Sequence, residues 1–157
     1  MNGVTRITMT EDIVLVTLRS KTTDNILIAS IFDEFAHENI IIDMISQTVP
    51  HGAEMDISFT VYADQMVGAL SVISRVRDQY HQLGIMVSTG NVKLQLYGEE
   101  MREISGVAAS ALLSLVSHDI ELMMITTSEV DISMVVSAAS ASKSVELLAR
   151  VFGVTPD

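Results

Sequence analysis

The sequence predicts an α+β fold made of two tandem βαββαβ units, each an antiparallel sheet with both helices on one face. Two repeated strings carry this reading. A strand-like string is written twice, "MDISFTV" from Met55 and "VDISMVV" from Val130, which sets Asp56 and Asp131 seventy-five positions apart. A helical pattern precedes each copy, "IASIFDEFAHENIIIDMIS" from Ile28 and "AASALLSLVSHDIELMMIT" from Ala108, eighty positions apart. Five elements recur in the same order, which marks an internal duplication.

In the first copy, "IVLVTL" from Ile13 reads as a strand. Ile28, Ile31, Phe32 and Phe35 then follow the i, i+3, i+4, i+7 spacing of an amphipathic helix. Asn39-Ile40 ends that helix and opens an apolar strand from Ile40 to Val49. In the "DIS" strand, Met55, Ile57, Phe59 and Val61 alternate with Asp56, Ser58 and Thr60, so one face lies under the helices and the other is polar. Leu70, Ile73 and Val76 mark a second helix, and "IMVST" from Ile85 to Thr89 closes the copy. The second copy begins with "NVKLQLYG" from Asn91 and repeats the helix through Ala108, Ala111, Leu112 and Leu115. Asp119-Ile120, a strand from Ile120 to Thr127, the second "DIS" strand and a helix through Val145, Leu148 and Val151 follow. The offset falls from eighty to seventy-five because the first copy has a longer connection around "VPHGAE". The expected domains are residues 1–90 and 91–157. Nothing from Gly84 to Asn91 resembles a flexible tether, so one integrated pair is expected rather than two beads on a linker.

Composition narrows the function. With 48% hydrophobic and 18% charged residues, the 157-residue chain has enough apolar side chain for a folded core. Nine basic residues against twenty acidic ones give a formal charge of −11, which repels phosphate backbones and anionic membranes. Neither nucleic acid nor a membrane is an expected partner. There is no Cys, and so no disulfide, thiol nucleophile or Cys-ligated zinc. No apolar run reaches the ~20 residues of a membrane span, and the N-terminal residues lack a signal-peptide core. A soluble, cytoplasmic protein is expected.

Ferredoxin-like units serve as RNA binders, metal carriers, enzymes and ligand sensors, so the fold assigns no activity. The chain contains no G-x-x-x-x-G-K phosphate loop and no G-x-S-x-G elbow. His37, His51, His81 and His118 show no metal-ligand spacing. Aromatic residues total 4%, too few for an RNA-stacking sheet. No catalytic residue, metal or cofactor is expected. Two acids stand out instead: Asp43 interrupts the apolar run "IIIDMISQTV", and Glu129 sits in the short connection "ITTSEV". A lone acid in an apolar strand is costly unless it is solvated or paired.

Around these acids the chain resembles the regulatory region of aspartokinases, a tandem pair of ACT domains, over essentially its whole length. "ENIIIDMISQTV" followed by "DISFTV" is similar to that family's helix end and strands, and "YGEEM" then "GVAAS" resembles its G-x-x-M loop and G-V-A-A helix start. "MMITTSEVDISMVV" resembles its I-S-T-S-E-I-x-I-S segment, the most specific of these matches. The resemblance implies an allosteric sensor of a pathway end product, lysine or threonine, bound where the two ACT domains meet. The partners implied are an aspartokinase catalytic domain or subunit and a second copy of the chain in a homodimer.

A zwitterionic amino acid needs donors for its carboxylate, which a helix N-terminus offers at Gly106, Val107 and Ala108. Its ammonium needs acceptors, which Asp43, Ser128 and Glu129 could supply, with an amide contact from Gln47. The resemblance adds Met101 of the G-x-x-M loop, together with Asn25 and Ile26 at the first copy's equivalent of Ser105-Gly106. ACT domains usually carry Pro-Gly at this turn. Asn25-Ile26 has lost the Gly, so a pocket there is reshaped or empty. The kinase's Lys-Phe-Gly-Gly-type opening is absent, and the chain alone is not expected to phosphorylate aspartate. The alternative is a free-standing ACT protein that binds an amino acid and governs another enzyme.

Overall fold

Alternation in strands and 3.6-residue periodicity in helices place the elements along the chain. The computed structural model describes residues 3–21 and 25–157. Strand β1 (Arg6–Ser20) is followed by α1 (Asn25–His37), β2 (Ile45–Gln47), β3 (Met55–Tyr62), α2 (Met66–Gln79) and β4 (Gly84–Tyr97). Then come α3 (Val107–Val116), β5 (Met124–Thr127), β6 (Asp131–Ser137) and α4 (Ala138–Phe152). The fold is α+β, with antiparallel pairing of β1 with β3, β2 with β3, β4 with β6 and β5 with β6. Among the described residues, no helix is long and apolar enough to cross a membrane.

The chain divides into two compact units, one of Asp12–Thr89 and one of Met1–Glu11 with Gly90–Asp157. The division falls at Gly90, and residues 3–11 group with the second unit rather than the first. The reason lies in two long strands. Pattern reading sees separate strands at Ile13, Ile85 and Asn91, whereas β1 runs 15 residues and β4 runs 14. The early part of β1 reaches the second unit, where the Thr5 N–H donates to the Tyr97 carbonyl at 2.7 Å. Each long strand turns through a positive-φ residue at the division, Asp12 (φ 56) in β1 and Gly90 (φ 69) in β4. Strand β2 is also shorter than the expected Ile40–Val49, and β5 is shorter than Ile120–Thr127.

In the first unit, Val14, Val16 and Leu18 of β1 stand opposite Val61, Phe59 and Ile57 of β3, all buried on one face. Helices α1 and α2 cover that face with Leu27, Ile31, Phe35, Val72 and Ile73. Phe35 and Phe59 meet edge to face with ring centroids 5.4 Å apart, the favoured geometry for an aromatic pair. The other face of β3 is polar, as its alternation predicts. Thr17 and Ser58 share a hydrogen bond at 2.8 Å, and Arg19 grips Asp56 with two bonds of 2.9 Å. In the second unit, Val92, Leu94 and Leu96 of β4 oppose Val136, Met134 and Ile132 of β6 beneath α3 and α4.

The duplication reaches individual backbone hydrogen bonds. Helices α1 and α3 both stop at a left-handed residue, Asn39 (φ 57) and Asp119 (φ 58). Ile40 N–H then returns to the Phe35 carbonyl at 2.9 Å, and Ile120 N–H returns to the Leu115 carbonyl at 3.1 Å. These are the closing bonds of a Schellman-type stop.

Candidate functional site

Helix α3 begins where Gly106 adopts φ 87, a left-handed conformation that glycine reaches without a Cβ penalty. The Gly106 carbonyl accepts the Ser110 N–H at 2.9 Å, the first bond of the helical ladder. The amides of Val107, Ala108 and Ala109 therefore have no partner within the helix, and no side chain caps them. The sequence "VAASALLSLV" has no acid in its first turn, so the positive end of the helix stays uncompensated there.

A cavity of about 220 Å³ opens at this helix start. Met101, Ile104, Val107 and Ile132 supply its apolar lining, while Gly106, Ala108, Thr127, Ser128 and Glu129 complete it. Six of the expected site residues are thus brought together: Met101, Gly106, Val107, Ala108, Ser128 and Glu129. Glu129 is exposed and makes no hydrogen bond or ion pair among the described residues. A free carboxylate and a set of free helix-terminal amides line one cavity, which is the charge pattern complementary to a zwitterion.

Ser128 also bonds within its own turn. Its hydroxyl accepts the Asp131 N–H at 3.1 Å and the Val130 N–H at 3.3 Å, and it faces Asp131 Oδ1 at 3.4 Å. Asp131 in turn takes a 2.6 Å hydrogen bond from Gln95. The first unit builds the same clamp. Thr48 Oγ1 accepts the Asp56 N–H at 3.0 Å, and Thr48 N–H donates to the Asp56 carbonyl at 2.9 Å, as Ser128 N–H does to Asp131 at 2.9 Å. Ser128 therefore holds the turn that presents Glu129.

The other four expected residues lie in the first unit. Asp43 is exposed just before β2, its N–H directed at the Thr60 carbonyl at 3.3 Å. Gln47 ends β2 opposite Ile57, as Thr127 ends β5 opposite Ile132. It occupies the first-unit position of a residue that lines the second unit's cavity. Asn25 and Ile26 already belong to α1, whereas their counterparts Ser105 and Gly106 precede α3. Where the second copy has its glycine, the first has Ile26, already helical. The loop ahead of Asn25, residues 22–24, lies outside the described residues. A first-unit cavity of about 200 Å³, lined by Ser20, Lys21, Leu27 and Tyr80–Leu83, includes none of the four.

Three lining residues, Ile104, Thr127 and Ile132, were not anticipated from the sequence. Thr127 and Ile132 form a register pair flanking the Ser128–Val130 turn. Counting back from "TSEVDIS" across that turn would have found them.

Residues 94–152 match the family model for the ACT domain. The aspartokinase of Bacillus sp. (strain MGA3) is 29% identical over 125 residues, covering 80% of this chain and 30% of that protein. The chain thus spans about a third of the length of the curated relatives it matches. In structure, aspartate kinase from Synechocystis aligns with a TM-score of 0.92 and 27% identity, over 99% of this chain and 28% of that one. The ligand-free regulatory subunit of aspartate kinase from Thermus thermophilus aligns with a TM-score of 0.87 and 24% identity, over 96% of this chain and 99% of that one. Residues 94–152 thus carry the ACT-domain match, and over most of its length the chain is similar to aspartokinases and, in fold, to the regulatory subunit of aspartate kinase.

Proposed function

We propose that the chain is the regulatory part of an aspartokinase, a tandem pair of ferredoxin-like ACT domains that senses lysine or threonine for feedback control. One observation carries this reading: the cavity at the start of α3 is lined both by unpartnered helix amides and by the unpartnered carboxylate of Glu129. An amino acid's carboxylate would take the amides of Val107 and Ala108, and its ammonium would take Glu129. Met101, Ile104 and Ile132 leave the rest of the lining apolar, with Thr127 as a hydroxyl partner. Of the two end products, that lining suits threonine, since a lysine ammonium has no second acid among the lining residues.

By position, Gln47 and Asp43 would serve the first unit as Thr127 and its neighbours serve the second, in a site reshaped by Ile26. Catalysis would reside in a separate kinase domain or subunit to which this region reports. Two copies of the chain would join through open sheet edges.

Isothermal titration of the chain with threonine and lysine tests the assignment. A charge-assisted hydrogen bond to Glu129 is worth ~1.5–3 kcal/mol. Glu129→Gln should therefore weaken binding roughly ten- to a hundred-fold, at ~1.4 kcal/mol per factor of ten. Unchanged affinity in that variant would place the site elsewhere.

A further inference from the structure

We propose that the cavity at the α3 start is read out by the segment Gly3–Thr5 through a backbone node at Gly98; this rests on the effector reading above. Gly98 is tied to both walls of the cavity. Its N–H donates to the Val130 carbonyl at 2.9 Å, which fastens it to the turn carrying Glu129. Its carbonyl accepts the Met101 N–H at 3.1 Å, which fastens it to the 3-10 turn Glu99–Arg102 that supplies Met101 to the lining.

The α-carbon of Gly98 lies directly against Gly3. A Cβ built on Gly98 would stand 1.7 Å from the Gly3 carbonyl oxygen and 2.7 Å from its carbonyl carbon. Gly98 has φ −176, ordinary extended backbone, so what glycine provides here is space for a second chain segment. Gly3 also touches the cavity lining from outside. A Cβ there would stand 3.1 Å from Val107 Cγ2, 3.5 Å from Ile104 Cδ1 and 3.6 Å from Met101 Cγ. Two residues on, the Thr5 N–H holds the Tyr97 carbonyl at 2.7 Å, beside the node.

Met101, Ile104 and Val107 thus face the cavity on one side and Gly3 on the other. Close-packed side chains pass a displacement on to their neighbours. A ligand that seats against these three side chains and draws the Glu129 turn inward presses the node against Gly3 and holds residues 3–5 in place. By linkage, ordering of residues 3–5 strengthens ligand binding by the same factor.

The test is amide exchange on the 157-residue chain, resolved by NMR, with threonine and lysine as the added ligands and calorimetry in parallel. The expected result is binding heat accompanied by about tenfold slower exchange at Thr5, equivalent to ~1.4 kcal/mol, with Leu18 in the first unit unchanged. Binding heat with unchanged exchange at Thr5 overturns the readout and leaves the effector reading standing. No heat from either amino acid overturns the effector reading. The readout is then decided by Ala108→Leu, or by Thr127→Leu if the first does not fold, each of which fills the cavity with a side chain. Slower exchange at Thr5, with Leu94 unaltered, supports the readout; unchanged exchange at Thr5 overturns it.

Discussion

Substituting alanine for Gly98 isolates the contact between Gly98 and Gly3. The added methyl falls 1.7 Å from the Gly3 carbonyl oxygen, and the obstacle is backbone that cannot rotate away. Because Gly98 has φ −176, alanine suffers no conformational strain, and the whole cost comes from displacing residues 3–5. Displacement exposes Val4, which is only 3% exposed in place. Burial of such a side chain contributes ~1.5–3 kcal/mol, and the Thr5–Tyr97 hydrogen bond adds ~0.5–1.5 kcal/mol. A loss of about 2–4.5 kcal/mol is therefore expected, read as a lower urea midpoint with an unchanged slope. Gly106→Ala is the informative contrast. A Cβ at Gly106 meets nothing within 4 Å, so only its φ of 87 is penalised. That penalty is ~1–2 kcal/mol for a left-handed alanine. If Gly98→Ala proves as stable as the parent, or loses less than Gly106→Ala, then Gly3 is not seated on Gly98 and the node does not exist.

The duplicated helix stops predict a reciprocal pair: Asp119 places a negative charge at the negative end of α3, so Asp119→Asn should stabilise by ~0.3–1 kcal/mol and Asn39→Asp should destabilise α1 by a similar amount. Thermal unfolding of the two variants checks both signs. The Arg19 guanidinium holds the Asp56 carboxyl below its ordinary value, chiefly through their hydrogen bonds. A depressed folded-state pKa means that the pair's stabilisation is complete above about pH 4 and fades as pH falls through the lowered value. Denaturation profiles of the parent and Asp56→Asn should therefore converge in acid, and divergence there would contradict the pairing. The same variant should leave threonine affinity unchanged, because Asp56 belongs to the scaffold. Strand β2 is an exposed three-residue edge in which Ile45 is 50% exposed; light scattering at micromolar concentration should show a dimer, and a stable monomer with and without threonine would contradict edge pairing.

The parts of the fold that periodicity encodes were legible in the sequence. Met55, Ile57, Phe59 and Val61 alternate, and all four are buried. The i, i+3, i+4, i+7 residues of α1 line the core, with Phe32 packed at its margin. What was not legible depends on pairing between distant segments. Nothing local tells Arg6–Glu11 that its neighbour is β4, because a strand carries the same alternation whichever sheet it joins. The left-handed turns at Asp12 and Gly90, which divide the long strands, were equally silent, since no Pro or paired Gly marks them. In the candidate site, string resemblance located the Glu129 turn and the α3 start. It could not reveal that Ser128 is occupied by Val130 and Asp131, since a hydroxyl's partners depend on the turn it closes.

The two copies agree and differ for separable reasons. Where a residue closes a backbone bond, the copies match in role even when the side chain changes: Asn39 with Asp119, and Thr48 with Ser128. These positions carry the fold, and losing one leaves a polar group without its partner. Where the copies diverge, at Ile26 against Gly106 and at the connection "VPHGAE" against Glu129, the second-copy residues have no such duty. Gly106 caps α3 with no side chain, and Glu129 bonds to nothing among the described residues. A glycine that leaves amides open and a carboxylate that leaves its charge unpaired contribute nothing to folding that a better cap or a neutral residue would not improve. Placed together at one cavity, they are most simply explained by a partner of opposite charge pattern that the chain itself does not supply. In the first copy the position of Gly106 is held by Ile26, which lies within α1, so under the proposed reading the effector would bind at the second copy.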